Sequence, residues 1–291
     1  MSGSALSSSE LAPASGDVGA SNSATVGNNG APPVVEMRNI GKFYGHVEAL
    51  RGVDLTLGRH EVLGVVGDNA AGKSTLMKIL AGVIPATTGE ILIEGQDLHV
   101  NTPLQARVAG IETAHQHYAL CGNLDVVANV CLGREARLSG ILGWLGFLDK
   151  QSMYKQTVAA LHDFSGTIGA ALHRSTEMLS GGQRQAVTLV RVAAFPAKII
   201  IMDEPTANLG LRNATRVLDM IRMLRDRGSA VILISHRFND IFEVTDRIQV
   251  LKTGQTAGIR RTKDTTQMEI VSLMFGGGDD SLASKLAANA E

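Results

Sequence analysis

Val62-Leu63-Gly64-Val65-Val66 runs without a break into Gly67-Asp68-Asn69-Ala70-Ala71-Gly72-Lys73-Ser74-Thr75, and from there into the apolar-periodic stretch Leu76–Ala81. A short, wholly apolar run reads as a buried strand, and the periodic stretch reads as a helix. The loop between them fits G-x-x-x-x-G-K-[ST] in full from Gly67 to Ser74. Strand, glycine loop and helix form the context such a loop needs. Successive backbone N–H groups wrap an anion there, and the helix N-terminus adds the positive end of its dipole. In this pattern Lys73 reaches the β- and γ-phosphates of a nucleotide, and the Ser74 hydroxyl ligates Mg²⁺. The expected contact set is Gly67, Asp68, Asn69, Ala70, Ala71, Gly72, Lys73, Ser74 and Thr75.

Outward from the loop, strands and helices alternate. Val34–Tyr44 and Gly52–Leu57 read as strands joined by a Gly-containing turn, and Gly89–Glu94 as another strand. Thr102-Pro103 is a helix start, a cap followed by Pro at the first helical position. Residues 125–175 lean helical, with an interruption at the Gly-rich patch 139–146. Beyond Gly182 come a helix to about Ala194, a strand at 198–202, a helix at 211–226, a strand at 230–235, a helix at 238–244 and a strand at 247–251. Such alternation predicts an α/β fold, a mostly parallel sheet covered on both faces. Residues 1–33, rich in Ser, Ala, Gly and Asn and without Lys or Arg, read as a disordered tail and not as a signal peptide. Residues 276–291 read as a second loose tail. No internal repeat is present.

Composition narrows the function classes. The 291 residues carry 27 Lys+Arg against 28 Asp+Glu, a formal net charge of −1, which argues against a general nucleic-acid binder. No apolar run reaches the roughly 18–20 residues that span a bilayer. The two cysteines, Cys121 and Cys131, are spaced too far apart for a metal knuckle and read as two buried thiols in a reducing compartment.

Two further motifs carry chemistry. Ile199-Ile200-Ile201-Met202-Asp203-Glu204 is an apolar strand ending in two carboxylates, and such a strand delivers acids to the ligand edge of an α/β sheet. Asp203 is expected to hold Mg²⁺ through water, and Glu204 to orient or deprotonate the attacking water. Leu179-Ser180-Gly181-Gly182-Gln183 stands just ahead of a helix. Ser180 and the glycine amides make a second anion cradle there, useful only if a phosphate arrives from outside.

This last pentapeptide resembles the signature of the ABC ATPases, and the other landmarks of that family follow in order over about Val34 to Phe275. Tyr44, in Lys42-Phe43-Tyr44-Gly45, stands where the family stacks adenine. Gln116 follows the strand Ile111–Ala114, where the family has its Mg²⁺- and γ-phosphate-sensing glutamine. Ser235-His236 closes a buried strand, where the family has its switch histidine. The resemblance implies an ABC-type P-loop NTPase with a mostly parallel core sheet, an N-terminal antiparallel β-subdomain and an inserted helical subdomain at about 116–180, the whole domain spanning 34–275. It implies ATP and Mg²⁺ as cofactors. It also implies a homodimer in which each nucleotide lies between the phosphate loop of one protomer and Ser180, Gly181, Gly182 and Gln183 of the other. Residues 119–135 (ALCGNLDVVANVCLGRE) and 205–210 (PTANLG) look like the ATP-binding subunits of monosaccharide importers, especially the single-domain kind of fructose-type systems. That implies an ATPase peripheral to the cytoplasmic face of a bacterial inner membrane. Such a subunit works with permease subunits, and through them with a substrate-binding protein, but not with nucleic acid. A low-turnover nucleotide switch is the alternative. A soluble ABC ATPase acting on DNA or ribosomes fits less well with the neutral charge.

Three positions depart from the family. Ala70 replaces a usual Gly, and if the position needs φ > 0 or close phosphate approach, the added Cβ costs of order 1 kcal/mol. His115 and His117 flank Gln116 where the subgroup more often has Tyr and Asp, and they lack the further ligand a metal pair needs. Gly210 stands where most of the family carries Asp. Elsewhere the readings are structural. Trp144, in Gly140-Ile141-Leu142-Gly143-Trp144-Leu145-Gly146-Phe147-Leu148, reads as part of a surface insertion. Arg212, Arg216, Arg222, Arg225 and Arg227 read as a solvated helix face, and Met220 and Met223 as core.

Overall fold

The computed structural model describes residues 32–97, 101–114, 120–162, 171–207 and 209–276. The first strands, β1 (Val35–Tyr44) and β2 (Val47–Leu57), form an antiparallel hairpin around Gly45, whose φ of +58° suits the turn. β3 (Val62–Gly67) leads into the phosphate loop and α1 (Lys73–Leu80). The helix therefore begins at Lys73, three residues earlier than the apolar periodicity indicates. Then come β4 (Thr88–Ile93), β5 (Gln96–Asp97), α2 (Pro103–Val108) and β6 (Ile111–Ala114). Thr102 caps α2 as expected, accepting from the Gln105 N–H with Pro103 at the first turn.

Three helices follow, α3 (Val126–Cys131), α4 (Ile141–Trp144) and α5 (Lys150–His162). Thus the Gly-rich patch is no plain interruption: one short helical turn sits inside it. The chain continues through α6 (Gly181–Ala193), β7 (Ile199–Asp203), α7 (Leu211–Asp226), β8 (Ala230–Ile234), α8 (Phe238–Val244), β9 (Arg247–Lys252), β10 (Gln255–Arg261) and α9 (Gln267–Phe275).

Two sheets result. One is antiparallel, in the order β2-β1-β4-β5. The other runs β10-β9-β3-β8-β7-β6 and is parallel except for β10 at its edge. The period of two along a strand divides the core. Ile199, Ile201, Ile232 and Ile234 face α1 and the antiparallel sheet, where they meet Met37, Ile40, Leu50 and Leu80. Ile200, Met202, Val231 and Leu233 face the other way, toward α7 and α8, where Met220 is buried and Met223 packs against the cluster. A third cluster joins α3, α5 and α6 through Val126, Val130, Cys131, Met153, Leu161, Val187 and Val190. Cys131 is the buried thiol, and burial pushes its pKa up. Cys121 is exposed, against expectation, because it lies in the loop ahead of α3 with only its backbone engaged, through Asn129 and Thr176.

A buried ion pair ties the sheets together. Arg247 on β9 donates from Nε to Glu61 Oε1 at 2.5 Å and from a terminal nitrogen to Thr56 O of β2 at 2.7 Å, with both side chains at or below 10% exposure. Arg247→Met leaves the Glu61 carboxylate buried without its cation. The expected loss is about 3–5 kcal/mol of unfolding free energy, read by urea denaturation.

Candidate nucleotide site

β3, β7 and β8 run parallel, so their C-terminal ends converge on one edge of the sheet. A cleft of about 810 Å³ opens there. Gly67 through Thr75 line it, together with Asp203, Glu204, Ile234 and His236. The structure thus brings the glycine loop, both strand-end carboxylates and the histidine into one cavity.

The loop's geometry follows from its glycines. Gly67 has φ +158°, and a Cβ there would stand 2.3 Å from Leu251 O. Gly72 has φ +100°, and a Cβ there would stand 2.6 Å from a Leu50 methyl and 3.0 Å from Ala49 O. Lys73 folds back over the loop and donates to Gly67 O at 2.8 Å and to Asp68 O at 2.9 Å. Burial lowers its pKa, against the raising pull of Glu204, Asp203 and Asp68. The loop therefore holds a partly desolvated cation whose hydrogen bonds go only to carbonyls.

Ala70 is left-handed, with φ +64°. The condition for strain is therefore met. Relief of about 1 kcal/mol in the folded state is offset by the greater unfolded-state freedom of Gly. Ala70→Gly is expected to leave Mg·ATP turnover within about threefold, measured by phosphate release.

Glu204 carries the other strain signal, a φ of +51° immediately after β7. Its N–H donates to Ile234 O at 2.9 Å, which holds the turn against β8. The turn aims the carboxylate into the cleft. Oε2 is buried and accepts no aligned hydrogen bond, while His236 Nδ1 lies 2.7 Å away on a largely exposed ring. The segment after Glu204 is fixed from two sides. Gln185 of α6 donates to Pro205 O at 2.8 Å, and Thr206 donates to the buried Asp240 of α8 at 2.5 Å.

Ser180 caps α6. It accepts from the Gln183 N–H at 3.3 Å while Gln183 Oε1 accepts from the Ser180 N–H at 3.0 Å. None of residues 180–183 lines the cleft. Their chain-internal job is capping, and the amides of the helix start lie apart from this chain's own phosphate loop. Gly210 has φ −65° and open space around its Cβ position, so nothing in the backbone demands glycine there.

Tyr44 is not brought to the cleft. It is half exposed at the end of β1, and Lys42 Nζ sits 5.5 Å from the centre of its ring. Its cross-strand partner Val47 does line the cleft, with Glu48 and Ala49. Gln116, His115, His117 and Asn208 lie outside the described residues. Met274 of α9 also lines the cleft, as do Thr253 and Gly254 in the β9–β10 turn, and none of the three belongs to a motif. Gly254 donates to Ala71 O at 3.1 Å and accepts from the Arg51 N–H at 2.8 Å, so this turn braces the phosphate loop from behind. Its only sequence signal is the Thr-Gly pair after a strand.

The fold and the cleft define a P-loop nucleotide-binding protein. A family model described as ABC transporter matches residues 50–207. The chain is 42% identical over 245 residues to the fructose import ATP-binding protein FrcA of Rhizobium meliloti, covering 84% of this chain and 94% of that protein. It is 37% identical over 254 residues to the xylose/arabinose import ATP-binding protein XylG of Sulfolobus acidocaldarius, covering 87% and 98%. Against the ribose import ATP-binding protein RbsA of Yersinia pestis it is 39% identical over 84% of this chain, but spans only 46% of that protein. Among solved structures, a nucleotide-free ATP-binding cassette from an ABC transporter superposes with a TM-score of 0.71 at 23% identity, over 86% of this chain and 97% of that one. The chain belongs to the ABC transporter family.

Proposed function

We propose that this chain is the ATP-hydrolysing subunit of an importer for a sugar, a monosaccharide, working with a separate membrane permease. The observation that carries the reading is the convergence of Lys73, Asp203, Glu204 and His236 on one cleft behind a glycine loop shaped for phosphate. The sugar comes from likeness to proteins named for import of fructose, ribose and xylose/arabinose.

In this reading the amides of residues 67–75 and Lys73 bind the phosphates, and Thr75 closes the loop. Glu204 Oε2 accepts a proton from the attacking water, and His236 beside it holds that carboxylate and meets the γ-phosphate. Glu204 lines the cleft with the phosphate loop, where such a water would stand, and the donor set of hydroxyl and carboxylate fits a hard divalent cation. Ser74, Asp203 and Gln116 would hold Mg²⁺, which supplies charge neutralisation at the phosphates. Tyr44, paired across the hairpin with cleft-lining Val47, stacks adenine.

Ser180, Gly181, Gly182 and Gln183 serve the nucleotide of a second copy, which makes the working unit a homodimer. A smaller hollow of about 230 Å³ lies between α2, β6 and α6, lined by Arg107, Glu112, Leu120 and Arg191. It supports docking of a permease segment there. A substrate-binding protein acts through that permease, and the chain sits peripherally on the cytoplasmic face of a bacterial inner membrane. Among the described residues no helix is long and apolar enough to cross a membrane.

The test is Mg·ATP hydrolysis by the purified chain, then uptake of labelled pentoses and hexoses into vesicles holding the chain with its membrane partner. Hydrolysis with ATP-driven uptake supports the reading. A silent chain that gains more than about tenfold on Ala70→Gly supports instead the low-turnover switch, for which strain at Ala70 is the specific observation.

A further inference from the structure

The segment between α3 and α5 closes on itself as a finger. Arg137 and Leu148 bridge its base. The Leu138 N–H donates to Phe147 O at 3.0 Å, and the Asp149 N–H to Ala136 O at 2.7 Å. Inside the tip, the N–H groups of Trp144, Leu145, Gly146 and Phe147 all find carbonyls of the same finger. Gly143 is the buried residue at its centre. A Cβ there would stand 1.7 Å from Leu138 O, so the backbone closes at that point and leaves no room for side chains between its two arms.

The side chains are therefore turned outward. Ile141, Leu142, Trp144, Leu145, Phe147 and Leu148 are all exposed, Trp144 at 84% and Ile141 at 77%. Single exposed apolar residues are ordinary, but six within eight positions on one convex tip are not. From Leu138 to Leu148 no side chain is ionisable. The base carries exposed Arg137 and Glu135 on one arm, and half-buried Asp149 with exposed Lys150 and Lys155 on and beyond the other, so cations exceed acids by one. Asp149 caps α5, accepting from the Ser152 N–H at 2.9 Å.

We infer that this finger is a lipid-contacting element that seats its tip in the interfacial region of an anionic bilayer. Three features select that occupant. An uncharged tip bearing Trp and Phe above a charged collar with a net cationic excess matches the gradient from acyl chains to anionic headgroups. The tip's internal hydrogen bonds let its backbone leave water without leaving those N–H groups unpaired. Two copies meeting tip to tip would bring two collars of net cationic charge together. The finger lies apart from the nucleotide cleft, so this inference goes beyond the ATPase reading, and its test reads no nucleotide.

Trp144 is the only tryptophan in the chain, so its emission reports the finger directly. The full-length chain is mixed with phosphatidylcholine vesicles and with vesicles made anionic by phosphatidylglycerol. A blue shift, quenching by brominated acyl chains and co-sedimentation, all stronger on anionic vesicles and weakened by salt, is the expected result. The triple variant Leu142→Ser, Leu145→Ser, Phe147→Ser keeps Trp144 and is expected to bind at least about tenfold more weakly. Its circular dichroism should be unchanged, because these side chains make no core. Arg137→Gln with Lys150→Gln should remove the preference for anionic vesicles. The inference is overturned by an unshifted spectrum on anionic vesicles at low salt. It is equally overturned by a shift that needs a membrane protein in the vesicle, or by one that follows chain concentration without lipid.

Discussion

Glu204→Gln is expected to slow Mg·ATP hydrolysis by about 10²–10⁴-fold while nucleotide affinity stays within a few-fold. The amide keeps the size and the hydrogen-bonding reach of the side chain but removes its basicity. Nothing else described in the cleft replaces it. Asp203 belongs to strand β7 itself, and His236 is already within 2.7 Å of the Glu204 oxygen it would have to displace. Phosphate release at saturating Mg·ATP gives the rate, and equilibrium binding of a fluorescent ATP analogue gives the affinity. A loss of both together would mean that Glu204 holds the loop in shape and is not a base.

Gly182→Asp is expected to abolish hydrolysis by at least about a hundredfold with single-chain nucleotide affinity nearly unchanged. Gly182 stands in the first turn of α6, and a Cβ there meets only Asn213 Nδ2, at 3.5 Å. An acid at a helix N-terminus stabilises the helix by about 0.3–1 kcal/mol, so the variant should be no less stable than the parent. The same carboxylate repels an incoming phosphate. Residues 180–183 do not line the chain's own cleft, so damage there is expected to reach hydrolysis through a second copy. Unchanged hydrolysis would show that one chain suffices.

Much of this was legible in the sequence where local patterns and tertiary burial agree. Helices Leu211–Asp226 and Phe238–Val244 follow from their apolar periodicity and from the turn residues before them. Strands Ile199–Asp203 and Ala230–Ile234 are short apolar runs buried on both faces, which is how parallel strands read. The edge strand Gln255–Arg261 has no such signal. It is half exposed, it carries Gly258, and its pairing is supplied by β9. Helix Gln267–Phe275 did carry one, in Thr266 three residues ahead of Glu269, whose N–H the threonine caps at 3.3 Å. At the site, motif spacing names the loop and the two acids, because their chemistry is local. It does not name Thr253 and Gly254, whose role is to brace Ala71 across the fold. It also names Tyr44, which pairs across the hairpin with cleft-lining Val47 without itself lining the cleft.

Two copies of the chain are expected to close on nucleotide held in this cleft. The most direct test is the mass of the Glu204→Gln chain by light scattering, with and without Mg·ATP. The predicted result is a monomer alone, a dimer with Mg·ATP, and a monomer again when Gly182→Asp is added. A chain that stays monomeric at saturating Mg·ATP, or one that is dimeric whether or not nucleotide is present, would contradict it.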